Sequence, residues 1–258
     1  KPEDGVGAED IYYFDSEEKI LETFSKNTPL IDRERTYILQ KFVEGKDLSV
    51  SLIGCKDSPI IIGINAQNVV IKDVNKESRY IGGYTPVENW ERLVSKLEKH
   101  FNTVEFEPFD SYFGIDFIQQ ENGALSFIEI NPRLTTSYIG IRNTINQNLI
   151  EVLMNARNNE FNVDELEFQN FSKYGNLTLK YEGSVCFLDV NEIIIPQILK
   201  MIPEIITPPI KIKNIHEDFY SCFIATKTKD ILSSETRINE IINIFKKRNF
   251  FIKSLELI

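Results

Sequence analysis

Residues 113–131 read FGIDFIQQENGALSFIEIN, two β-prone runs separated by Asn122-Gly123. Asn-Gly is the strongest short signal for a two-residue type I′ hairpin turn, because both residues must take positive φ. The spacing predicts antiparallel strands over roughly 113–120 and 124–131. Counting outward from the turn sets the register: Glu121 faces Ala124, Gln120 faces Leu125, Ile118 faces Phe127, and Asp116 lands opposite Glu129. Glu129 and Asn131 lie two apart, so the pleat points both to the side that carries Asp116. Opposed carboxylates destabilise a sheet unless something neutralises them, and hard oxygen donors suit Mg²⁺ or Mn²⁺ shared with substrate phosphates. A solvated charged face is the competing reading. Ile115, Phe117, Ile128 and Ile130 flank the acids and argue instead for a packed sheet. Arg133, just past the second strand, adds a fixed cation able to hold an oxyanion or a carboxylate.

Upstream, residues 37–43 are apolar and β-prone, Gly45-Lys46 breaks the run, and 48–53 alternates, which predicts a strand, turn, strand unit. Residues 11–14 read as a short strand, and Ser16-Glu17-Glu18-Lys19 as a helix start. Residues 60–64 and 69–71 read as a further strand pair, 79–84 as a loop around Gly82-Gly83, and Pro86 as the start of a helix to Phe101. In that helix Val87, Trp90, Leu93, Val94, Leu97 and Phe101 form one apolar stripe. Further on, helices are predicted over 145–156, 192–201 and 234–247, and strands over 178–181, 185–190, 221–225 and 250–257. The class is α+β, in three segments: 1–54, 55–157 and 158–258.

The 258 residues, 42% hydrophobic and 26% charged, can bury one large core or two ordinary ones. A net charge of -10, from 39 acids against 29 bases with no long basic block, argues against a nucleic-acid surface. Cys55, Cys186 and Cys222 are far apart, odd in number and without CxxC spacing, so neither a disulfide framework nor a zinc site is suggested and a reducing cytoplasm fits best. No apolar run approaches the ~20 residues that span a bilayer, and nothing reads as a signal peptide. Lys1-Pro2 leads into a glycine-containing segment with no initiator Met, which suggests that upstream sequence is missing. His100 and His216 have no partner at ligand or triad spacing. Ser49, Ser51 and Ser137 lack a nucleophile motif. Arg79, Tyr80, Tyr84 and Tyr138 are candidates to line a substrate pocket, with plain packing as the competing role.

Gly114-Ile115-Asp116 followed by Phe127-Ile128-Glu129-Ile130-Asn131-Pro132-Arg133 resembles the metal-binding strands of the ATP-grasp superfamily. Lys1-Pro2-Glu3-Asp4-Gly5-Val6-Gly7 is similar to that superfamily's phosphate lysine and glycine loop. Gln40-Lys41-Phe42-Val43-Glu44-Gly45-Lys46-Asp47 is similar to its adenine hinge. The three stretches span residues 1 to about 140 in the expected order. The resemblance implies a nucleotide held between two α+β subdomains, with the superfamily's N-terminal domain and first phosphate lysine lacking counterparts here. It implies that Lys1 meets the ATP phosphates, that the backbone of Lys41 and Val43, assisted by Gln40, meets the adenine edge, and that Asp47 holds the ribose hydroxyls. Asp116, Glu129 and Asn131 match ligands of Mg²⁺ or Mn²⁺, and Arg133 matches a residue that faces the second substrate.

The implied activity is ADP-releasing ligation of a small carboxylate to an amine through an acyl phosphate. Residues 130–140, with Tyr80-Ile81-Gly82-Gly83-Tyr84, are most similar to the archaeal tyramine-glutamate ligases of methanofuran synthesis, which would make glutamate and tyramine the substrates. Biotin carboxylases share a Glu-x-Asn-Pro-Arg run and D-alanine ligases the hinge pattern. A nucleotide sensor without turnover also stays open.

Overall fold

A computed structural model describes residues 1–5, 8, 10–25, 31–32, 34–55, 59–71, 78–103, 111–158, 160–161, 166–212 and 219–255. Strand β1 (Lys46–Ile53) shows how the sequence builds the molecule. Leu48, Val50 and Leu52 point to one face, and Asp47, Ser49 and Ser51 to the other. Its neighbours β2 (Ile60–Val70) and β4 (Tyr112–Gln119) obey the same division. Val50 lies between Ile64 and Ile115, while Ser49 lies between Asn65 and Asp116. The apolar face packs on α2 (Trp90–Phe101) through Leu93, Leu97 and Phe101. Burying a side chain such as Leu97 is worth about 1.5–3 kcal/mol.

The polar face is roofed in part by α3 (Tyr138–Thr144) and α4 (Leu149–Arg157), whose Ile141, Leu149 and Val152 meet Ile53, Ile62 and Tyr112. With β3 (Arg79–Thr85), β5 (Leu125–Asn131), β6 (Ser172–Tyr181), β7 (Ile210–Ile212), β8 (Phe219–Ala225) and β9 (Phe250–Leu255), the described residues form one nine-stranded sheet in the order β5-β4-β1-β2-β3-β6-β8-β7. β9 lies beside β6, and every described pair is antiparallel. The sheet thus runs through all three expected segments. Beyond β6, α5 (Phe187–Asp189), a π-type turn (Val190–Ile194), α6 (Ile195–Met201) and α7 (Ile231–Lys247) cover one face. There Ile198, Ile241 and Phe245 pack on Leu177, Leu179 and Ile224. Helix α1 (Glu17–Ser25) starts where Ser16 Oγ accepts from Lys19 N at 3.3 Å. No described helix is long and apolar enough to cross a membrane.

Several expectations are corrected. The hairpin turn is a three-residue loop, since Gln120 N donates to Ala124 O at 3.0 Å and only Gly123, not Asn122, takes positive φ (77°). Asn122 Oδ1 instead accepts from Ala124 N at 2.8 Å. Residues 60–64 and 69–71 are one strand, β2, and the glycine-marked loop 79–84 is β3. Glycine there serves close approach, because a Cβ on Gly83 would stand 2.2 Å from Ala66 O. Helix α2 begins at Trp90 rather than Pro86. Residues 185–190 are helical from Phe187, because Val190 packs into the α6–α7 core and that tertiary contact overrides β propensity. The helix widens to π type just where Pro196 has no N–H to donate. Residues 37–43 form no named strand, and among the described residues only Tyr37 bridges, to Pro2. Residues 11–14 show a single bridge position, Tyr12. In both stretches β propensity finds too little edge to pair with. Val6, Gly7 and His216 lie outside the described residues.

Candidate active site

The site is built by a β-bulge. Outside the turn, β4 and β5 pair as Gln119↔Leu125, Ile118↔Ser126 and Phe117↔Phe127, one residue off the expected register. Continued, that register would set Ile128 against Asp116 and turn Glu129 to the opposite face. A shift between Asp116 and Phe117 inserts Ile128 as an extra residue, after which Asp116↔Glu129, Ile115↔Ile130 and Gly114↔Asn131 follow. Phe127 and Glu129, two apart, therefore face opposite sides of the sheet. The expected pairing of the acids is present, reached through a loop one residue longer and a bulge that compensates for it. The expectation of a packed opposite face holds less well at β5. As the terminal strand of the path it leaves Phe127 and Ile130 nearly half exposed.

Around the acids the amides are ordered. Gln67 Nε2 donates to Asp116 Oδ1 at 2.9 Å, and Asn131 Nδ2 to Asp116 Oδ2 at 3.1 Å and Glu129 Oε1 at 3.4 Å. Arg133 Nη2 donates to Asn131 Oδ1 at 3.1 Å, and Lys1 Nζ to Glu129 Oε2 at 2.9 Å. Burial, chiefly, pushes the Asp116 carboxyl up to about 6, the Glu129 charge adding to the rise and the Gln67 and Asn131 amides opposing it. A carboxylate so placed gains from a proton or a cation. Two carboxylates and an amide could hold a divalent cation, provided Asn131 turns its Oδ1 from Arg133 toward them. Among the described residues no trio of His, Cys, Asp and Glu offers another such site.

These groups open into a cavity of about 1690 Å³ whose wall includes Lys1, Gln40, Lys41, Val43, Asp47, Asp116, Glu129, Asn131 and Arg133, the nine residues to which the family resemblance gave nucleotide, metal or substrate roles. Asp47 sits on the Asp116 face of the sheet, half-buried, and burial raises its carboxyl above the usual range. Lys1 is held by pairing of the first residues with 36–38: Ile38 N donates to Lys1 O at 2.7 Å and Glu3 N to Thr36 O at 3.0 Å. Aromatic rings line the mouth, with Tyr13 and Phe42 in edge contact at 4.9 Å. Of the four pocket candidates Tyr80 lines the wall, whereas Tyr84 stacks on Phe171 and Tyr138 meets Tyr112 edge-on at 5.8 Å. Arg79 is exposed and off the wall.

Gln67, Arg35 and Thr135 carry no signal in the sequence, and Ser137 is considered there only as a nucleophile. Gln67 belongs to the acid cluster only because β1 lies between β2 and β4, an order that sequence adjacency does not suggest. Arg35 ties the opening loop, its Nη2 to Asp4 Oδ1 at 2.8 Å and its Nη1 to Asp10 Oδ2 at 2.7 Å. Thr135 and Ser137 also line the cavity, and their hydroxyls bond one another at 2.7 Å.

A stretch of 141 residues is 33% identical to a tyramine–L-glutamate ligase of Methanocaldococcus fervens, covering 52% of this chain and 44% of that protein. A ligase of the same name from Methanocaldococcus jannaschii is 31% identical over 139 residues, covering 53% and 40%. The chain thus spans less than half the length of these curated relatives. In fold it is similar to an L-amino acid ligase from Bacillus licheniformis, with a TM-score of 0.58 at 14% identity over 98% of this chain and 62% of that one. An N5-carboxyaminoimidazole synthetase from Staphylococcus aureus complexed with ADP gives 0.55 at 14% identity, over 96% and 60%. The family model described as the ATP-grasp domain matches residues 1–137, the stretch that carries the acid cluster and every residue named on its cavity from sequence, and the chain belongs to that family.

Proposed function

We propose that this chain is the nucleotide- and metal-binding part of an ATP-dependent ligase that joins a carboxylate to an amine through an acyl phosphate. The observation that carries the reading is the convergence of Lys1, Asp47, Asp116, Glu129, Asn131 and Arg133 on one cavity. Its volume of about 1690 Å³ exceeds the ~300–1,000 Å³ of a typical single-ligand pocket, leaving room for a nucleotide and a second substrate. Asp116, Glu129 and Asn131 would hold Mg²⁺, and the fit rests on the raised Asp116 carboxyl and on an all-oxygen donor set. Held there, a divalent cation would supply positive charge to offset that of the nucleotide phosphates.

The chain's own residues do the rest. The Lys41 and Val43 backbone, with Gln40, receives the adenine edge, Asp47 accepts the ribose hydroxyls, and Lys1 exchanges Glu129 for a phosphate oxygen. A substrate carboxylate oxygen attacks the γ-phosphorus and ADP leaves. The amine then attacks the acyl carbon, the C–O bond to phosphate breaks, and the amine gives up a proton. Arg133 faces both steps and steadies the oxyanion. Tyramine and L-glutamate are the substrate pair we favour, supported by the relatives of that name.

Glutamate, Mg²⁺-ATP and hydroxylamine should yield a hydroxamate, ADP and phosphate, and tyramine in place of hydroxylamine should yield glutamyltyramine. AMP and pyrophosphate would remove the ligase mechanism, whereas ADP with another carboxylate or amine would remove only this substrate pair. ATP binding with no carboxylate-stimulated turnover would leave the sensor reading.

A further inference from the structure

Beneath the acid cluster four hydroxyls close a ring. Tyr112 Oη donates to Ser51 Oγ at 2.8 Å and lies 2.8 Å from Thr135 Oγ1. Thr135 Oγ1 lies 2.7 Å from Ser137 Oγ, and Ser137 Oγ 3.3 Å from Ser51 Oγ. Each hydroxyl has one proton, so the directions are forced. Because Tyr112 gives its proton to Ser51, Thr135 must donate to Tyr112, Ser137 to Thr135, and Ser51 to Ser137. The chain of donors returns to its start with none left over, and bonds in such a ring strengthen one another. Asn65 Nδ2 joins from β2, donating to Ser51 Oγ at 3.1 Å. Ser51, Tyr112 and Ser137 are at most 3% exposed, which shields the bonds at Ser51 from water, while Thr135 is partly buried on the cavity wall.

The ring spans two kinds of structure. Ser51 and Tyr112 stand on the neighbouring strands β1 and β4, while Thr135 and Ser137 stand on the loop between β5 and α3. A Cβ on Gly114 would stand 2.7 Å from Thr135 Cγ2, so the loop presses directly on the sheet there. Only Pro132, Arg133 and Leu134 separate Thr135 from Asn131, the last residue of β5. Among the described residues Arg133 bonds nearby groups alone, Asn131 Oδ1 and Leu134 O. Its placement therefore depends on the two anchors of its short span, the β5 ladder on one side and the hydroxyl ring on the other.

We propose that Tyr112 is a positioning residue, which through the ring with Ser51, Thr135 and Ser137 fixes the loop that aims Arg133 at the substrate. The functional part of this rests on the ligase reading above. Removing the Tyr112 hydroxyl opens the ring and leaves one of the three remaining hydroxyls without an acceptor, while the aromatic body still fills its place.

The test compares Tyr112→Phe with the wild type in the full chain by three readouts. Amide exchange over residues 132–137 should speed up about tenfold. Phenylglyoxal modification of Arg133, followed by mass spectrometry, should change at least about threefold. The kcat of carboxylate-dependent ATP turnover should fall on the order of tenfold or more, with KM for ATP within about twofold. Ser137→Ala opens the ring from the loop side and should act alike, and it replaces Tyr112→Phe if that protein does not fold. A folded variant with unchanged exchange and unchanged Arg133 reactivity overturns the proposal. Faster exchange with unaltered Arg133 reactivity and kcat also overturns it, since the ring would then be structural only. If the wild type shows no carboxylate-dependent turnover, the ligase reading fails by itself, and exchange and Arg133 reactivity decide the positioning claim.

Discussion

On β6 and β8, Leu177, Leu179, Tyr220, Cys222 and Ile224 meet helices α6 and α7 in a wholly apolar layer, and polar partners such as Asn176 and Ser221 stand on the open face. On β1, β2 and β4 one face is equally apolar, but the other buries Ser49, Ser51 and Asn65 to 1% exposure or less and ends at two opposed acids. The same alternation serves both halves. What differs is where the polar residues go. Buried polar groups contribute to stability only when satisfied, an unsatisfied one costing about 1–3 kcal/mol. Asn65 Oδ1 finds no partner among the described residues. Set against a typical net stability of about 5–15 kcal/mol, a face of this kind is a cost kept for chemistry, offset by the apolar core on the other side of the same strands and by the layer under α3 and α4.

The largest effect that would break this comparison lies in the C-terminal core. Phe245 is fully buried in it, and Phe245→Ala should lower stability by about 3–5 kcal/mol in urea unfolding. In the fraction that remains folded, MgADP affinity should stay within a few-fold of wild type. A large loss of affinity without loss of stability would show that the two halves are not separable in this way.

Asp116 should show the opposite sign. Its native carboxyl, at about 6, lies above the ordinary 3.8, so the native state binds more protons than the unfolded one between those values. Stability from this group is full below about pH 4 and falls as pH rises through 6. Two units correspond to about 3 kcal/mol as an upper figure. In chelator, Asp116→Asn should match the wild type near pH 4 and exceed it by about 2 kcal/mol at pH 7.5, while losing turnover. Equal stability at both pH values would mean that the buried acid is not under electrostatic strain.

At the edge of the cavity the effects should be smaller. Asp47→Ala should raise KM for ATP about tenfold with little change in kcat, because ribose contacts are alike in ground and transition states. A large fall in kcat at constant KM would contradict its place on the ribose. Arg35→Ala removes two ion pairs to half-exposed or exposed acids, and should leave the urea-unfolding midpoint nearly unchanged, since water and salt screen such pairs. A large drop in the midpoint would show that the opening loop is part of the core.

Local chemistry was legible in the sequence where it was dense. The strands of the hairpin, the pairing of Asp116 with Glu129, the apolar stripe of α2 and the helix ending at Lys247 all follow from periodicity and turn signals. The route to the acid pairing was not legible. A two-residue turn and a three-residue loop with a bulge end in the same pair, and nothing in 126–128 tells the two apart. Non-local order was hidden as well: β4 lies against β1, which brings Gln67 and Ser51 to residues far along the chain. Ser51 and Ser137 were weighed only as nucleophiles, and their part in a shared ring depends on Tyr112, which falls just outside the strand expected over 113–120. Glycine misled at 82–83, where close packing of strands requires what a turn would also require.

The bulge at Ile128 turns Glu129 toward Asp116, and we propose that the pair forms a cation site. Mn²⁺ binding in the presence of ADP, measured by calorimetry or by loss of the free-ion paramagnetic signal, tests this in the wild type and in Glu129→Gln. Binding by the wild type should be tight and weakened on the order of 10²-fold in the variant, with thermal midpoints within a few degrees of each other. Unchanged Mn²⁺ binding by a folded Glu129→Gln protein would contradict it.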